Sequence, residues 1–481
     1  MKYTTIPIVI INTINKIITI MSIILSDEQT IAFNKYIERK NIFITGPGGS
    51  GKTQLIREIY AHGGRCGKRI QVCALTGCAA VLLECSAKTV HSWSGVGLAS
   101  GSIETIIKKI KGNKRSTAAW LQTDVLIIDE VSMMSLKLFD LLDAVGRAIR
   151  GNCAAPFGGI QLIFSGDFYQ LPPVGQKEDP DSIRFCFESE DWFQVFPLDC
   201  HIQLVKIFRQ IGDDEYAGML NQIRKGLIKR KTAVKLQSFV GREPAVADSR
   251  VIITEIYPKK RQVETINSMK MEELAGEEKE YSMRFSQPED VRASAFGAYS
   301  FGTSVALATN LVDQELNYIK SNIMCNPVLK LKVGSQVMCV INISDDEQQD
   351  LVLCNGSQGK VVKFDESTGL PVVTFDNGTT MKMDYHLWTS EKMTGVSVSQ
   401  IPLILSWAIT IHKAQGATLL HAKIDIGNDI FESGQIYVAL SRVKSLDGLY
   451  LTSFDVSKIT VKRKVYDFYE MLSSFANAFA K

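Results

Sequence analysis

The run Gly46-Pro47-Gly48-Gly49-Ser50-Gly51-Lys52-Thr53 places conformationally free residues directly before an amine and a hydroxyl. Glycines let successive backbone N–H groups turn toward one anion, and a helix starting there adds the positive end of its dipole. At this spacing Lys52 reaches the β- and γ-phosphates of a nucleoside triphosphate, and the Thr53 hydroxyl ligates Mg²⁺. Asp129-Glu130 offers paired carboxylates, the first to hold Mg²⁺ through water and the second to polarise an attacking water. Gly166-Asp167-Phe168-Tyr169-Gln170-Leu171-Pro172-Pro173 sets an amide, Gln170, where it can bond both that water and the γ-phosphate, with prolines stiffening the exit. Arg209 and Arg442 stand far downstream and carry the planar guanidinium suited to clamping a phosphoryl group as charge develops. A glycine turn, an acidic strand end or a solvated arginine would each explain one feature alone. Together they point to triphosphate hydrolysis in a cleft between two domains.

These residues need elements to hold them. Ile42 to Ile44 reads as a buried strand feeding the glycine loop, and Leu55, Ile56 and Ile59 give the following helix its apolar face. Further strands read at Ile70–Leu75, Val125–Ile128 and Ile160–Phe164, alternating with helical stretches such as Leu136–Ile149. That alternation predicts an open parallel sheet with ligands at the carboxyl ends of its strands. A second α/β region starts near Leu198, with strands at Val251–Thr254, Ala422–Ile426 and Gly448–Leu451. Between them, short β-rich runs at Gln336–Ile341, Gly359–Phe364 and Val372–Phe375 are split by Gly, Asn and Asp turns, the texture of a small inserted β-barrel. Apolar residues at 465, 468, 469, 472, 475 and 479 predict a terminal helix packed on the second domain.

Composition sets outer bounds. The 481 residues are 45% hydrophobic and 22% charged, the balance of a soluble protein with two to four domains. A net charge of +3 neither demands nor excludes a polyanionic partner. The ten cysteines form no C-x-x-C pair, so buried free thiols are expected and no metal cluster. Residues 1–24 are isoleucine-rich but interrupted by Asn12, Asn15 and Lys16, which predicts a disordered or loosely packed extension and no membrane span. Trp93 suits either a base-stacking platform or the core. The basic run Lys108, Lys109, Lys111, Lys114 and Arg115 suits either a solvated helix face or nucleic-acid contact. Thr410-Ile411-His412-Lys413-Ala414-Gln415-Gly416 gathers donors able to grip a phosphodiester backbone and report to the nucleotide site.

In chain order these motifs, with Thr76 to Ala80, Thr89 to Trp93 and Tyr437 to Arg442, resemble the petite-integration-frequency (PIF) family of superfamily-one DNA helicases, related to the RecD type. The stretch Leu138–Ile163, with Arg147, Arg150 and Pro156 to Phe164, is similar to that family's own signature element, and Leu25 to Gln29 is similar to its adenine-reading motif. The resemblance implies an α/β fold of two RecA-like parallel-sheet P-loop domains, residues 25–197 and residues 198–333 with 386–481. It also implies an SH3-like barrel at 334–385 and a wedge insert at about 94–118. It implies ATP and Mg²⁺ as cofactors and single-stranded and forked DNA as partners, with replication or recombination proteins beside them. The expected activity is ATP-dependent 5′-to-3′ translocation and duplex unwinding for genome maintenance, inside the cell at its DNA, in nucleus, cytoplasm or mitochondrion. The alternative is a translocase that displaces bound proteins without unwinding. Carried over are Gln29 and Gly46, Pro47, Gly48, Gly49, Ser50, Gly51, Lys52 and Thr53 for nucleotide binding, and Thr53 and Asp129 for the metal. Lys52, Asp129, Glu130, Gln170, Arg209 and Arg442 carry over for catalysis, and Thr76, His91, Thr410, His412 and Lys413 for DNA. Lys259 departs from the threonine usual in the family, so no DNA role is assigned to it.

Overall fold

The computed structural model describes residues 25–76, 85–97, 102–176, 178–243, 253–286, 323–341, 343–344, 351–353, 356–390 and 395–479, with further positions at 79–80, 83, 312–313, 315–317 and 319–320. The extension 1–24, Gly77-Cys78, and Val251-Ile252 of an expected strand lie outside the described residues, as do positions 98–101 of the expected wedge.

In the first lobe, strands β1 (Ile42–Thr45), β2 (Ile70–Ala74), β3 (Lys88–Thr89), β4 (Val125–Asp129), β5 (Gln161–Gly166) and β6 (His201–Gln203) form one parallel sheet, and because β6 pairs with β1 the first lobe runs past the boundary expected at 197/198. Every residue of β1 and β4 is buried, as expected where helices cover both faces. Each isoleucine so buried contributes about 1.5–3 kcal/mol. The strand order β3-β2-β4-β5-β1-β6 makes β4, β5 and β1 neighbours. Their carboxyl ends therefore bring Asp129-Glu130, Asp167–Gln170 and the glycine loop to one edge.

Helix α1 (Asp27–Ile37) starts with a reciprocal cap between Ser26 and Gln29, and α2 (Lys52–Arg65) starts at the glycine loop. Helices α3 (Val90–Ser94), α4 (Ile103–Gly112) and α5 (Lys114–Gln122) precede β4, and α6 (Leu136–Arg150) follows it. The signature element is a brace. Asp143 on α6 accepts from the Phe157 N–H at 2.6 Å and from Arg147 Nε at 2.6 Å. Arg150 donates to the carbonyls of Gly158 and Trp120, tying α5 to α6. Trp93 packs on Trp120 with centroids 4.5 Å apart and is buried, so of its two expected roles the core one holds here.

The second lobe carries a parallel sheet of β7 (Thr254–Tyr257), β8 (Ala408–Thr410), β9 (Ala422–Ile426) and β10 (Leu449–Phe454), ordered β8-β7-β9-β10. Its helices include α7 (Asp214–Arg224), α8 (Lys260–Glu273) and α9 (Gln435–Leu440). The β-rich insert is an antiparallel sheet of Gln336–Cys339, Gln358–Phe364, Pro371–Phe375 and Thr380–Lys382, and it recruits Leu403–Leu405 as a fifth strand. A three-stranded sheet of Arg284–Ser286, His386–Thr389 and Ser397–Gln400 lies beside it. β structure therefore continues past residue 385.

The terminal helix α10 (Arg463–Phe479) corrects one expectation. It packs on the first lobe, not the second. Val465, Phe468, Tyr469 and Leu472 enter the core that holds Phe43, Phe168, Phe187 and Trp192, with Phe468 and Phe187 stacked 4.4 Å apart. Lys464 pairs with Glu188 at its start. Helical periodicity shows that a face is apolar but not which core receives it; here the first lobe's aromatic cluster supplies the complementary hollow. Among the described residues no helix is long and apolar enough to cross a membrane, and no group of three or more His, Cys, Asp or Glu is placed to hold a metal ion.

Candidate active site

The glycine loop leaves β1 and enters α2. Lys52 Nζ donates to the carbonyls of Gly46 at 2.8 Å and Pro47 at 3.1 Å, so the ammonium folds back into its own loop. Burial pushes its pKa down, while Asp167, Glu130 and Asp129 pull it up. Gly49 has φ +82°, and a Cβ there would lie 2.5 Å from Arg209 Cβ, so only glycine lets the loop meet the second lobe's arginine. Ser50 Oγ is buried with no protein partner. Gln29 donates from Nε2 to the Gly51 carbonyl at 3.1 Å and accepts from the Ser26 N–H at 2.9 Å, which fixes its amide against the loop.

Asp129 ends β4, and Glu130 turns out of the sheet with φ 55° and ψ 39°, a strained left-handed conformation for a residue with a side chain. Burial raises the pKa of both, and Asp129 raises that of Glu130 further. The Asp167–Gln170 turn closes with Gln170 N–H donating to the Asp167 carbonyl at 2.8 Å. Gly434 of the second lobe, φ +82°, comes so close that a Cβ would sit 2.5 Å from the Gln170 carbonyl oxygen.

Both arginines reach the loop. A Cβ on Gly48 would lie 3.4 Å from Arg442 Nη2 and 3.6 Å from Arg209 Nη1. Arg442 is held by the Val438 carbonyl and Ser441 Oγ, and Arg209 by the Ser441 carbonyl. Burial lowers the pKa of each, and for Arg209 the neighbouring Arg442 lowers it further. Two guanidiniums desolvated beside a glycine loop, with an ammonium beneath, are matched by a polyanion. The cleft measures about 770 Å³ and is also bordered by Thr53, Asp129, Glu130 and Gln170. The donor set fits a nucleoside triphosphate with Mg²⁺, an ion that takes few protein ligands beside phosphate and water.

The expected DNA residues are spread more widely. Thr76, His412 and Lys413 border the nucleotide cleft, and His412 and Lys413 with Thr410 also line an adjoining groove of about 600 Å³. The Thr410 hydroxyl caps the turn Ile411–Ala414. His91 is half-buried on α3 and does not line the cleft. The basic run Lys108 to Arg115 is exposed, and Lys259 pairs with Asp429 at 2.5 Å.

Three contributors were not singled out from sequence. Gln415 Nε2 donates to Glu130 Oε2 at 3.2 Å and lies 3.5 Å from Gln170 Oε1, linking the Thr410–Gly416 run to the carboxyl-end edge of the first-lobe sheet. Tyr437 OH accepts the Gly48 N–H at 2.8 Å, and the Phe208 ring lies over Gly51. Gln415 and Tyr437 fall inside motifs already quoted; Phe208 precedes Arg209 directly.

Known proteins resemble this chain over most of its length. The family described as PIF1-like helicase matches residues 24–233, and that described as DNA helicase Pif1, 2B domain, matches residues 315–364. The ATP-dependent DNA helicase RRM3 of Saccharomyces cerevisiae is 32% identical, covering 94% of this chain and 68% of that protein. The chain spans 57–68% of the length of the curated relatives that head the comparison. A crystal structure of Pif1 helicase from Candida albicans superposes with TM-score 0.74 at 35% identity, covering 94% of this chain and all of that one. The Pif1 helicase from Bacteroides in complex with ADP-AlF3 and ssDNA superposes with TM-score 0.60 at 27% identity, covering 94% and 98% of the two chains.

Proposed function

The chain belongs to the PIF1-like helicase family, and from that premise we propose that it is an ATP-driven motor that tracks along single-stranded DNA, 5′ to 3′, and unwinds duplex ahead of it. One observation carries the reading: cationic, amide and carboxylate groups from both lobes meet around a single glycine loop.

The loop N–H groups and Lys52 would hold the triphosphate, and Thr53 and Asp129 would hold Mg²⁺. When bound, that ion neutralises phosphate charge and screens the approach of water. Glu130 accepts the water's proton at a carboxylate oxygen, its basicity raised by burial and by Asp129. Gln170 orients the water. Because Arg209 and Arg442 belong to the second lobe, they stabilise developing charge only when the lobes are closed. Gln415 donates to Glu130 from the same run that carries Thr410, His412 and Lys413, which gives DNA in the adjoining groove a direct route to the general base. Thr76 and His91 extend the proposed DNA track onto the first lobe, and Gln29 with Gly51 borders the position proposed for the base.

The test is ATP turnover with and without single-stranded DNA, in the wild type and in Lys52→Ala. The motor reading expects strong DNA stimulation in the former and no turnover in the latter. Near-normal turnover in Lys52→Ala contradicts it.

A further inference from the structure

A buried ion pair between the lobes has no part in the chemistry above. Arg224, at the end of α7 in the second lobe, donates from Nε and Nη2 to the two carboxylate oxygens of Asp167 in the first lobe, both at 2.8 Å. Asp167 is fully buried and Arg224 is 8% exposed. The guanidinium lies over the Tyr169 ring at 4.5 Å and 5.3 Å from the ring of Tyr469, which stacks on Tyr169.

Asp167 is the first residue of the turn that presents Gln170. Its carbonyl accepts the Gln170 N–H, and its Oδ1 accepts the Tyr169 N–H at 3.2 Å. The Tyr469 hydroxyl, from the terminal helix, bonds Thr45 Oγ1 at 2.6 Å and accepts the Phe168 N–H at 3.1 Å. Thr45 is the last residue before the glycine loop. One connected network thus joins the root of that loop, the Gln170 turn and a helix of the other lobe. A buried ion pair is weak support for stability, because desolvation offsets most of its attraction. A bidentate pair does fix geometry, since both hydrogen bonds are met in one orientation only.

We infer that Arg224 is a positioning residue that ties the Gln170 turn to the second lobe, so that displacement of the turn during hydrolysis is converted into lobe movement along DNA. This inference rests on the motor reading. Cutting the link leaves hydrolysis poorly converted into movement.

The experiment uses the full chain with Arg224→Lys, which keeps the charge and loses the bidentate geometry, and Tyr469→Phe, which keeps the Arg224–Asp167 pair, frees the turn from Thr45 and removes the 3.4 Å bond from the Tyr469 hydroxyl to Asp167 Oδ1. The readout is base pairs opened per ATP hydrolysed on a tailed duplex, a ratio that the fraction of folded protein cannot change. Arg224→Lys is expected to lower the ratio at least about fivefold, the low end of site-to-site coupling, with Tyr469→Phe between it and wild type. ATP affinity, read by fluorescent-nucleotide binding, stays within about twofold of wild type. A wild-type ratio in both variants overturns the relay and leaves the motor reading standing. Absence of ATP turnover in the wild type, run alongside, overturns the motor reading and the relay with it.

Discussion

Gln415 offers a direct trial of how DNA reaches the nucleotide site. Its amide donates to Glu130 at 3.2 Å, and its contact with Gln170 is longer, 3.5 Å. A hydrogen bond to a charged group contributes about 1.5–3 kcal/mol, and a separation at the long end of the N–H···O range argues for the lower figure. Gln415→Ala is therefore expected to destabilise the ionised Glu130 carboxylate by ~1.5 kcal/mol, leaving about tenfold less of the base deprotonated on the acidic limb of DNA-stimulated kcat. Gln415→Glu goes further. A second carboxylate at this distance repels Glu130 by roughly 4–5 kcal/mol at an effective dielectric of about 20. Like charge disfavours ionisation, so the Glu130 pKa, already raised by burial, rises again. A base must be deprotonated to act, so the acidic limb of the rate profile moves to higher pH in this variant. Steady-state ATP turnover across pH, with and without an oligothymidine strand, measures both effects. Wild-type stimulation in Gln415→Ala, or an unmoved acidic limb in Gln415→Glu, refutes the reasoning.

Lys52→Ala should lower ATP turnover by at least about 100-fold, as for loss of one preorganised donor at a developing oxyanion. Arg209→Ala and Arg442→Ala should each reduce kcat by about 10³ or more, with a far smaller rise in KM, in a steady-state assay; equal changes in both constants would argue against a role confined to the closed transition state. Phe468→Ala empties a buried site beside Phe187, Phe168 and Trp192, and urea denaturation should show a loss of about 3–5 kcal/mol in first-lobe stability. An unchanged urea midpoint would mean that α10 does not contribute to that core.

Much of the site was legible from local pattern because it is built at strand ends. The apolar runs Ile42–Ile44, Val125–Ile128 and Leu162–Phe164 lead into the polar groups that border the cleft, so Lys52, Asp129, Glu130 and Gln170 could be singled out from neighbouring positions. What was not legible lies in long-range pairing. Nothing near Arg224 marks it as the partner of Asp167, 57 residues away. The helix α10 showed an apolar face, but only the three-dimensional arrangement reveals that Phe468 and Tyr469 complete the first lobe. The short strand β8 escaped notice because three residues carry no periodicity, although it delivers the Thr410–Gly416 run to the cleft. Leu403–Leu405 was missed as a strand of the β-rich insert for a similar reason, since it pairs with Gln336–Cys339 across a long gap in sequence.

In the proposed motor, ATP hydrolysed between the lobes moves the protein along one DNA strand in one direction. Strand separation on two duplexes, alike except that one bears a 5′ single-stranded tail and the other a 3′ tail, tests it most directly. With ATP and Mg²⁺ present, the 5′-tailed duplex is opened and the 3′-tailed one is not. Opening of neither, while ATP is consumed on the single strand, or opening confined to the 3′-tailed substrate, rules out a 5′-to-3′ unwinding motor.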